Sequence, residues 1–372
     1  MDFDFSDDQE ALRAAVRRFV DKDYPFERRR KTVATGGFSA EMWQALAGLG
    51  LTALAVPEAN GGLGWGPVEA MIAMEELGRG LVLEPLAQGA LIAPALLAAG
   101  APEVAAQWLP RIAAGDALVV LAHQEPRARH RLTAGQTQAR EQRLTGHKSL
   151  VPAAAHAQAF LIPALDLESP ASTSLYLVHR ESPGLSLRPY ALHDGSSAAE
   201  LHLADTPGTR IAGPESGQSL LELAADIGIA AQAADAVGVM ERLLELTIDY
   251  LNTRRQFGVP IASFQALRHR VADCKMQLEL ARSMSYYATL RLTDEPDVRR
   301  RALSQAKVQL GQSMRFVGQQ CTQLHGGIGV TDEYLGSHYF KRLAVMELQW
   351  GDTLHHLGEV NQRMLDTAGV FA

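Results

Sequence analysis

The stretch VMERLLELTIDYLNTRRQFGVP, from Val239 to Pro260, decides how the C-terminal part of the chain folds. Apolar side chains recur at helical spacing from Val239 to Leu251, which predicts one face of a long helix packed on a core. The helix must end near FGVP (257–260), because proline lacks a backbone N–H and disfavours a helical residue before it. The pattern therefore predicts a long helix that stops at a corner containing arginine and phenylalanine.

Two more long helices are predicted after this corner. One extends to about Leu292, and the next runs from about Val298 to Leu324 and ends at the glycines of HGGIG (325–329). Long antiparallel helices with short connections are typical of a bundle. Residues 214–372 are therefore predicted to form a C-terminal helical bundle domain.

The residue patterns before residue 214 differ from that of this bundle. Residues 1–115 show helical spacing and predict an N-terminal helical domain, in which Ser6 caps the first helix with Gln9 as its capping-box partner. Residues 116–213 predict a middle β domain, because short apolar or alternating runs are separated by Gly and Pro. The predicted fold class is thus mainly α with a central small β-sandwich or barrel. The strand runs are Ala117–Ala122, Phe160–Ile162, Ser174–Val178 and Glu200–Leu203, with an exposed loop or hairpin at Arg127–Arg143.

The composition indicates a soluble globular protein with more than one core. The 372 residues are too many for one compact core. The hydrophobic share of 47% and the charged share of 21% are ordinary for a globular protein. A net charge of −7 argues against nucleic acid as a partner.

The cysteines and the N-terminal stretch predict the compartment. Cys274 and Cys321 lie far apart in sequence and show no metal-ligand spacing, so a reduced cytoplasmic compartment is expected and no metal. MDFDFSDDQE (1–10) is acidic and lacks the apolar region of a secretory signal. No run approaches ~18 uninterrupted apolar residues, so no membrane span is expected.

Two segments of the bundle carry chemistry-bearing residues. In RRQFGVPIASFQ (254–265) a cation, an aromatic ring and a glycine meet where one helix stops and the next begins. This predicts either an anion and ring site at a helix N-terminus or a plain helix–turn–helix corner. In QLHGGIGVT (323–331) consecutive glycines either let the backbone hold phosphate oxygens or cap the preceding helix. The spacing alone leaves these alternatives open.

The order of the zones and three motifs resemble the acyl-CoA dehydrogenase family over essentially the whole chain. The motifs are PEANGGLG (57–64) followed by EELGR (75–79), RRQFGVPIASFQ (254–265) and QLHGGIGVTDEY (323–334). The resemblance implies a helical domain, a small β domain and a four-helix C-terminal domain. It also implies FAD as the cofactor, α,β-desaturation of an acyl-CoA thioester, and electron-transferring flavoprotein as the electron acceptor.

A finer resemblance concerns the two ends of the chain. MDFDFSDDQ (1–9) and HYFKRLAVMELQWGDTLHH (338–356) resemble the small subunits of pimeloyl-CoA dehydrogenases. This implies a dicarboxylic acyl-CoA such as pimeloyl-CoA as the substrate, although the residues themselves fix no chain length.

The resemblance also implies which residues hold FAD. Arg254 is expected to contact the pyrophosphate, Phe257 to pack beside the nucleotide, and Phe264 and Gln265 to belong to the same wall. Asp352 is expected to contact the ribose. A neighbouring subunit closes over the cofactor in this family, so a dimer is implied. The residues expected to hold the adenosine side from that neighbouring chain are Gln323, Leu324, His325, Gly326 and Gly327.

The catalytic carboxylate of the family is missing from both of its usual positions. Trp350 stands at the C-terminal position and Gly228 at the alternative position on the long helix, and neither side chain is basic. Glu347, Asp352 and Asp226 lie nearby. Asp352 and Asp226 are offset from these positions by two residues, which on a helix turns a side chain ~200° away. The catalytic residue is therefore unassigned, and the adjacent pair His355-His356 is interpreted as a solvated helix end.

The β domain departs from the family at the positions expected to face the flavin. Leu150 takes the place of a tryptophan and Pro152 the place of a hydroxyl residue, and Pro152 has no N–H to offer. The glycines expected after Glu125-Pro126 are also absent. Several of the contacts expected to the flavin and the thioester have therefore changed together.

Three hypotheses follow from these departures. The chain is a subunit of a heteromeric acyl-CoA dehydrogenase, such as a heterotetramer, whose partner supplies the glutamate. Alternatively it is a self-sufficient homodimeric or homotetrameric flavoenzyme with a displaced base or altered chemistry on a CoA thioester. The third hypothesis is a flavin-free scaffold or regulatory protein that keeps only the fold.

Overall fold

Helices form both ends of the described chain and strands form its middle. The structure is a computed structural model that describes residues 4–169 and 172–367. This order confirms the predicted fold class, mainly α with a central β domain. The described helices are α1 (Asp7–Asp23), α2 (Phe26–Ala34), α3 (Ala40–Gly48), α4 (Pro67–Arg79), α5 (Ala93–Ala98), α6 (Pro102–Ala113), α7 (Gly217–Thr253), α8 (Gln265–Arg291), α9 (Pro296–His325), α10 (Leu335–Leu348) and α11 (Thr353–Thr367).

The central strands pair into one continuous sheet. They are β1 (Val119–Leu121), β2 (Gln138–Arg140), β3 (Arg143–Pro152), β4 (Ala159–Asp166), β5 (Thr173–His179), β6 (Leu185–Ala191), β7 (Ser197–Pro207) and β8 (Thr209–Ala212). Their order is β6-β7-β3-β2-β4-β5-β8, and β1 pairs in parallel with the first half of β4 while β2 pairs with its second half. Every predicted strand run overlaps one of these strands.

The loop predicted at Arg127–Arg143 ends in a tight hairpin between β2 and β3. Glu141 and Gln142 form its two-residue connection, with φ of 48° and 59°. Positive φ at both central residues is the type I′ geometry, whose twist matches that of the flanking strands.

The helix boundaries predicted from the sequence agree closely with the structure. Ser6 Oγ accepts the N–H of Gln9 at 3.3 Å, and Gln9 Oε1 accepts the N–H of Ser6 at 3.0 Å, so the predicted capping box is present. The long helix α7 ends at Thr253, just before the predicted break. The predictions from capping and proline chemistry are therefore confirmed at these ends.

Contacts between Cα atoms group the described residues into two units. Unit 1 lies within residues 1–29, 71–82 and 229–372, and unit 2 lies within residues 30–70 and 83–228. The three predicted domains, 1–115, 116–213 and 214–372, follow chain order instead and stay a prediction. Unit 1 contains the bundle helices α8 to α11 and most of α7, and unit 2 contains the sheet.

Glycines let α4 and α7 pack closely inside unit 1. A Cβ on Gly238 would lie 1.9 Å from the carbonyl oxygen of Glu75, and a Cβ on Gly78 would lie 2.3 Å from that of Asp235. Any side chain at either position would therefore force the two backbones apart. The close crossing also brings Glu75 against Arg282 of α8, with 2.5 Å between Oε1 and Nη1.

Helix α7 is long and apolar enough to cross a membrane by length and composition alone. However, 89% of its most apolar 18-residue window is buried within the protein. Burial of this kind is what the core helix of a helical bundle requires.

Candidate functional site

The corner after α7 is a strained hairpin that presents an aromatic ring. Two short strands, β9 (Arg255–Gln256) and β10 (Val259–Pro260), pair across Phe257 and Gly258. These two residues have φ of 52° and 82°. The Phe257 side chain is 90% exposed. A left-handed phenylalanine costs of order 1–3 kcal/mol, and such strain is concentrated at ligand sites.

Polar and aromatic groups lie exposed around this corner. Phe264 occupies the N-cap of α8, and its side chain makes no capping hydrogen bond to the first N–H groups of that helix. Its ring contacts that of Phe257 edge to face, with centroids 6.1 Å apart. Arg254 and Gln265 are exposed. A helix N-terminus, a cation and two aromatic rings together suit a nucleotide phosphate and ring.

The glycines after α9 form an open cradle of backbone. The helix ends at His325, and Gly326 follows with φ of 65°. A Cβ on Gly326 or Gly327 would meet no atom within 4 Å. A ligand can therefore approach this backbone closely, as the glycine pattern predicts.

The side chains of Leu324 and His325 are turned into the protein. His325 Nδ1 donates to the carbonyl of Cys321 at 2.8 Å, and its Nε2 accepts the Tyr334 hydroxyl at 2.7 Å. Burial lowers the pKa of His325, which favours the neutral ring. Leu324 is 7% exposed. Of the predicted residues 323–327, only the Gln323 side chain and the backbone are left to meet a ligand.

Both motifs lie at the same end of the bundle. Tyr250, in the last turn of α7, packs on His325, with ring centroids 4.8 Å apart. The carbonyl of Arg254 accepts the N–H of Ile261 at 2.8 Å, which holds the corner against the end of α7. The structure therefore places residues 254–265 and residues 323–327 at the same end of the bundle.

Asp352 lies elsewhere in unit 1. Its neighbour Thr353 packs directly on Gly311 of α9, where a Cβ would lie 2.1 Å from the threonine Oγ1. Gly311 precedes His325 by fourteen residues, or ~21 Å of helix. Asp352 Oδ1 accepts the N–H of His355 at 2.8 Å and so caps α11.

Trp350 occupies a turn that depends on glycine. Trp350 and Gly351 both have positive φ, 59° and 103°. A Cβ on Gly351 would lie 2.5 Å from Cδ2 of His355. The carbonyl of Trp350 accepts a hydrogen bond from Nε2 of His356 at 2.8 Å. The turn therefore has a fixed backbone, and it presents an indole at the position where the catalytic carboxylate was expected from the sequence.

The prediction that His356 belongs to a solvated helix end is wrong. The residue is 1% exposed, because the first turn of α11 packs beneath the Trp350-Gly351 turn. Burial lowers its pKa to about 3, so the ring is neutral at ordinary pH. His355 is half-buried.

The carboxylates near the base positions are engaged or buried. Glu347 is 9% exposed, and its Oε1 accepts from Oγ1 of Thr353 at 2.8 Å and from Nη2 of Arg315 at 3.1 Å. It therefore ties α10 to α9 and α11. Asp226 is completely buried in unit 2.

Lys307, which the sequence predictions did not include, is a buried amine at the end of α10. It is 1% exposed in α9, and its Nζ donates to Oε1 of Gln232 at 2.6 Å and to the carbonyl of Met346 at 2.7 Å. Burial lowers its pKa to about 7. Its spacing was a usable signal, because it falls between Leu303 and Leu310 on the buried face of α9.

In unit 2, a buried ion pair lies just before the segment predicted to face the flavin, which carries Leu150 and Pro152. Lys148 Nζ contacts Oε1 of Glu125 at 2.7 Å, and both side chains are buried. The Glu125 carboxylate also accepts three backbone N–H groups from residues 135–137. Burial lowers the pKa of Lys148 to about 8, which Glu125 partly offsets. Burial raises the pKa of Glu125, but Lys148 and the N–H groups lower it further, so it stays below its usual range.

Leu150 follows this ion pair in an exposed, left-handed conformation, with φ of 52°. Its N–H donates to the Tyr190 hydroxyl at 3.1 Å, and that hydroxyl donates to Oε1 of Glu200 at 2.8 Å. The segment that carries Leu150 and Pro152 is therefore positioned by hydrogen bonds from β6 and β7.

Family models match most of the chain. The acyl-CoA dehydrogenase N-terminal domain matches residues 6–116, and the acyl-CoA dehydrogenase C-terminal domain matches residues 217–365. The chain belongs to the acyl-CoA dehydrogenase family. The family uses FAD, so the predicted cofactor is confirmed at the level of the family, and the corner and glycine cradle fit a nucleotide cofactor.

Similar acyl-CoA dehydrogenase family members cover nearly the whole chain. An acryloyl-CoA reductase (NADH) from Anaerotignum propionicum is 29% identical, covering 96% of this chain and 94% of that protein. The acyl-CoA dehydrogenase FadE27 of Mycobacterium tuberculosis is 26% identical, covering 99% and 100%. The structure of the ChsE4-ChsE5 complex from Mycobacterium tuberculosis matches with a TM-score of 0.89 and 26% identity, covering 98% and 99%.

Proposed function

We propose that this chain is an FAD-binding subunit of a heteromeric acyl-CoA dehydrogenase. A second chain of the same family supplies the catalytic glutamate for α,β-desaturation of an acyl-CoA thioester. The proposal rests on Trp350, an indole where the base is expected, in a chain that also has a well-formed corner (254–265) for the cofactor. The alternative base position holds Gly228.

Glu347, one helical turn before Trp350, is poorly placed to act as a substitute base. Abstraction of the α-proton requires an acceptor within hydrogen-bond range of the substrate, and an indole N–H only donates. Glu347 already accepts from Thr353 and Arg315, and moving it would break both contacts. When bound, FAD supplies the acceptor for the β-hydrogen as hydride. The chain therefore lacks the proton acceptor but not the means to hold the cofactor.

The corner and the cradle are proposed to hold different parts of the cofactor. Arg254 contacts the pyrophosphate, and Phe257 with Phe264 and Gln265 forms the wall beside the nucleotide. Residues 323–327 meet the adenosine side of the cofactor in a neighbouring chain, with Leu324 and His325 contributing backbone only. Thr353, next to Asp352, packs on Gly311, which lies ~21 Å along α9 from this cradle. This separation supports an assembly in which Asp352 and the cradle contact two different cofactor molecules.

The comparisons support an assembly of two different chains. The ChsE4-ChsE5 structure, 26% identical to this chain, is a complex of two differently named proteins. We propose a heterotetramer in the cytoplasm, with electron-transferring flavoprotein as the electron acceptor. A dicarboxylic acyl-CoA such as pimeloyl-CoA is the proposed substrate, on the resemblance of both chain ends.

The test compares the chain alone with the chain co-expressed beside a family member that carries the glutamate. Desaturation of pimeloyl-CoA and of straight-chain acyl-CoAs is followed with an artificial electron acceptor. We expect negligible turnover by the lone chain and strong turnover by the co-purified pair. Robust turnover of a saturated acyl-CoA by the lone homo-oligomer would overturn the proposal.

A second candidate is a self-sufficient flavoenzyme that reduces an α,β-unsaturated acyl-CoA. The 29% identity to an acryloyl-CoA reductase over 96% of this chain favours it. NADH-dependent reduction of an enoyl-CoA by the lone chain is the distinguishing assay. A chain that purifies without flavin absorbance, and gains none from added FAD, is instead the flavin-free scaffold.

A further inference from the structure

The four residues Gln349–Asp352, here the 350 turn, connect α10 to α11 and carry the family's base position. The turn joins two helices directly, because α10 ends at Leu348 and α11 begins at Thr353. A shift of either helix end would therefore move the turn. Helix ends fray when their last carbonyls lack partners. The position of any side chain at residue 350 therefore depends on how the end of α10 is held.

Lys307 holds that end from within the bundle. Its Nζ donates to the carbonyl of Met346 at 2.7 Å and contacts the carbonyl of Glu347 at 3.4 Å, both in the last turn of α10. A cation at this place satisfies orphan carbonyls and opposes the negative end of the helix dipole.

The same ammonium group reaches the 350 turn through an amide. It donates to Oε1 of Gln232 at 2.6 Å, and Nε2 of Gln232 donates to Oε1 of Gln349 at 2.9 Å. Gln232 belongs to α7, Lys307 to α9 and Gln349 to the turn itself. The chain of contacts thus links three separate segments of unit 1 and ends one residue before Trp350.

The burial of Lys307 argues against a purely space-filling role. Burying an ammonium group has an effective penalty of several kcal/mol, whereas a leucine would complete the apolar face between Leu303 and Leu310. The desolvated lysine donates its hydrogen bonds to Gln232 and to acceptors at the end of α10, and the carboxylates of Glu347 and Asp352 also favour its charge. The protein therefore buries an ammonium group at a cost in free energy, and the hydrogen bonds of that group lead, directly or through Gln232, to residues 346–349 before Trp350.

We propose that Lys307 is a positioning residue, which acts with Gln232 to fix the 350 turn so that the side chain at residue 350 keeps one location. The inference uses the family's placement of residue 350 and is independent of whether a second chain supplies the base. In this chain the fixed group is the Trp350 indole.

The experiment is 19F NMR of the full-length chain labelled with 5-fluorotryptophan. The chain has four tryptophans, and Trp350→Phe assigns the Trp350 resonance while the other three, all in unit 2, serve as internal controls. In Lys307→Met and in Gln232→Leu we expect the Trp350 resonance alone to broaden by roughly twofold or to split, because the turn gains a second conformation. Lys275→Met, at an exposed lysine of α8, is the matched control and should leave all four resonances unchanged.

The outcomes separate positioning from general stability. A single Trp350 resonance of unchanged width and shift in both folded variants overturns the proposal. Equal broadening of all four resonances also overturns it, because this reports loosening of the whole chain. If Lys307→Met fails to fold, Gln232→Leu and Gln349→Leu decide the question, because they break the same link without removing the cation.

Discussion

Replacing Lys148 by methionine is expected to destabilise unit 2 strongly. The substitution removes the only cation that contacts the buried carboxylate of Glu125 in the described residues. The carboxylate would remain inside the protein with the N–H groups of residues 135–137 as its remaining partners. A buried charge that loses its counter-ion is the costly case, unlike an exposed pair.

The expected magnitude follows from this geometry. Breaking a buried pair by removing one partner costs about 3–5 kcal/mol. Because three N–H groups still solvate the Glu125 carboxylate, the lower part of that range, about 3 kcal/mol, is expected. In Glu125→Gln combined with Lys148→Met no charge is left buried, so the double variant should be more stable than Lys148→Met alone.

Denaturant unfolding followed by tryptophan fluorescence is the assay, because Trp43, Trp65 and Trp108 all lie in unit 2. Lys275→Met is the control, since Lys275 pairs with Glu279 at an exposed i,i+4 position and should change stability by at most about 0.5 kcal/mol. A Lys148→Met variant within about 1 kcal/mol of wild type, or a double variant less stable than Lys148→Met, would refute this reasoning.

Three further predictions concern unit 1. Arg254→Ala should lower the FAD retained through gel filtration, whereas Arg255→Ala should not; equal flavin content in both variants would remove the cofactor assignment. Phe257→Asn should stabilise the flavin-free chain by about 1 kcal/mol, because asparagine tolerates the left-handed turn. Thermal melting measures this effect. The same variant should still retain less FAD, which flavin absorbance measures. His356 has a pKa of about 3 in the fold and 6.5 ordinarily, so its contribution to the free energy of unfolding is complete above pH 6.5 and declines as pH falls, by about 1.4 kcal/mol per pH unit. In unfolding experiments from pH 6.5 to 4.5, His356→Gln should flatten this loss of stability with falling pH. His355→Gln should leave the loss unchanged.

Local chemistry made the element ends predictable from the sequence. The capping box of Ser6 and Gln9 needs only neighbouring residues, and the break of α7 needs only the FGVP segment (257–260). The strands of the β domain were recognised for the same reason, since alternation and turn residues are local signals. The fold class followed from the order of these elements.

The environment of the 350 turn was not predictable, because it depends on side chains distant in sequence. Lys307 lies 43 residues before Trp350 and Gln232 lies 118 residues before it, so no local pattern connects them. The burial of His356 depends on how α11 packs, and a pair of histidines beside a polar turn gives no sign of it. The two cofactor motifs were found only because they are short and contiguous, and which molecule they contact stays a prediction.

The outward ring of Phe257 has a consequence for handling the protein. Phe264, Ile328 and Val330 are also exposed, and Val330 is 71% exposed. A chain purified without flavin or a neighbouring subunit would present these apolar groups to water, and apolar patches of this kind promote self-association. Colloidal stability should therefore depend on cofactor loading, and light scattering should show fewer aggregates when FAD is added during lysis. The yield of dispersed protein then becomes a practical measure of how completely the nucleotide site has been filled.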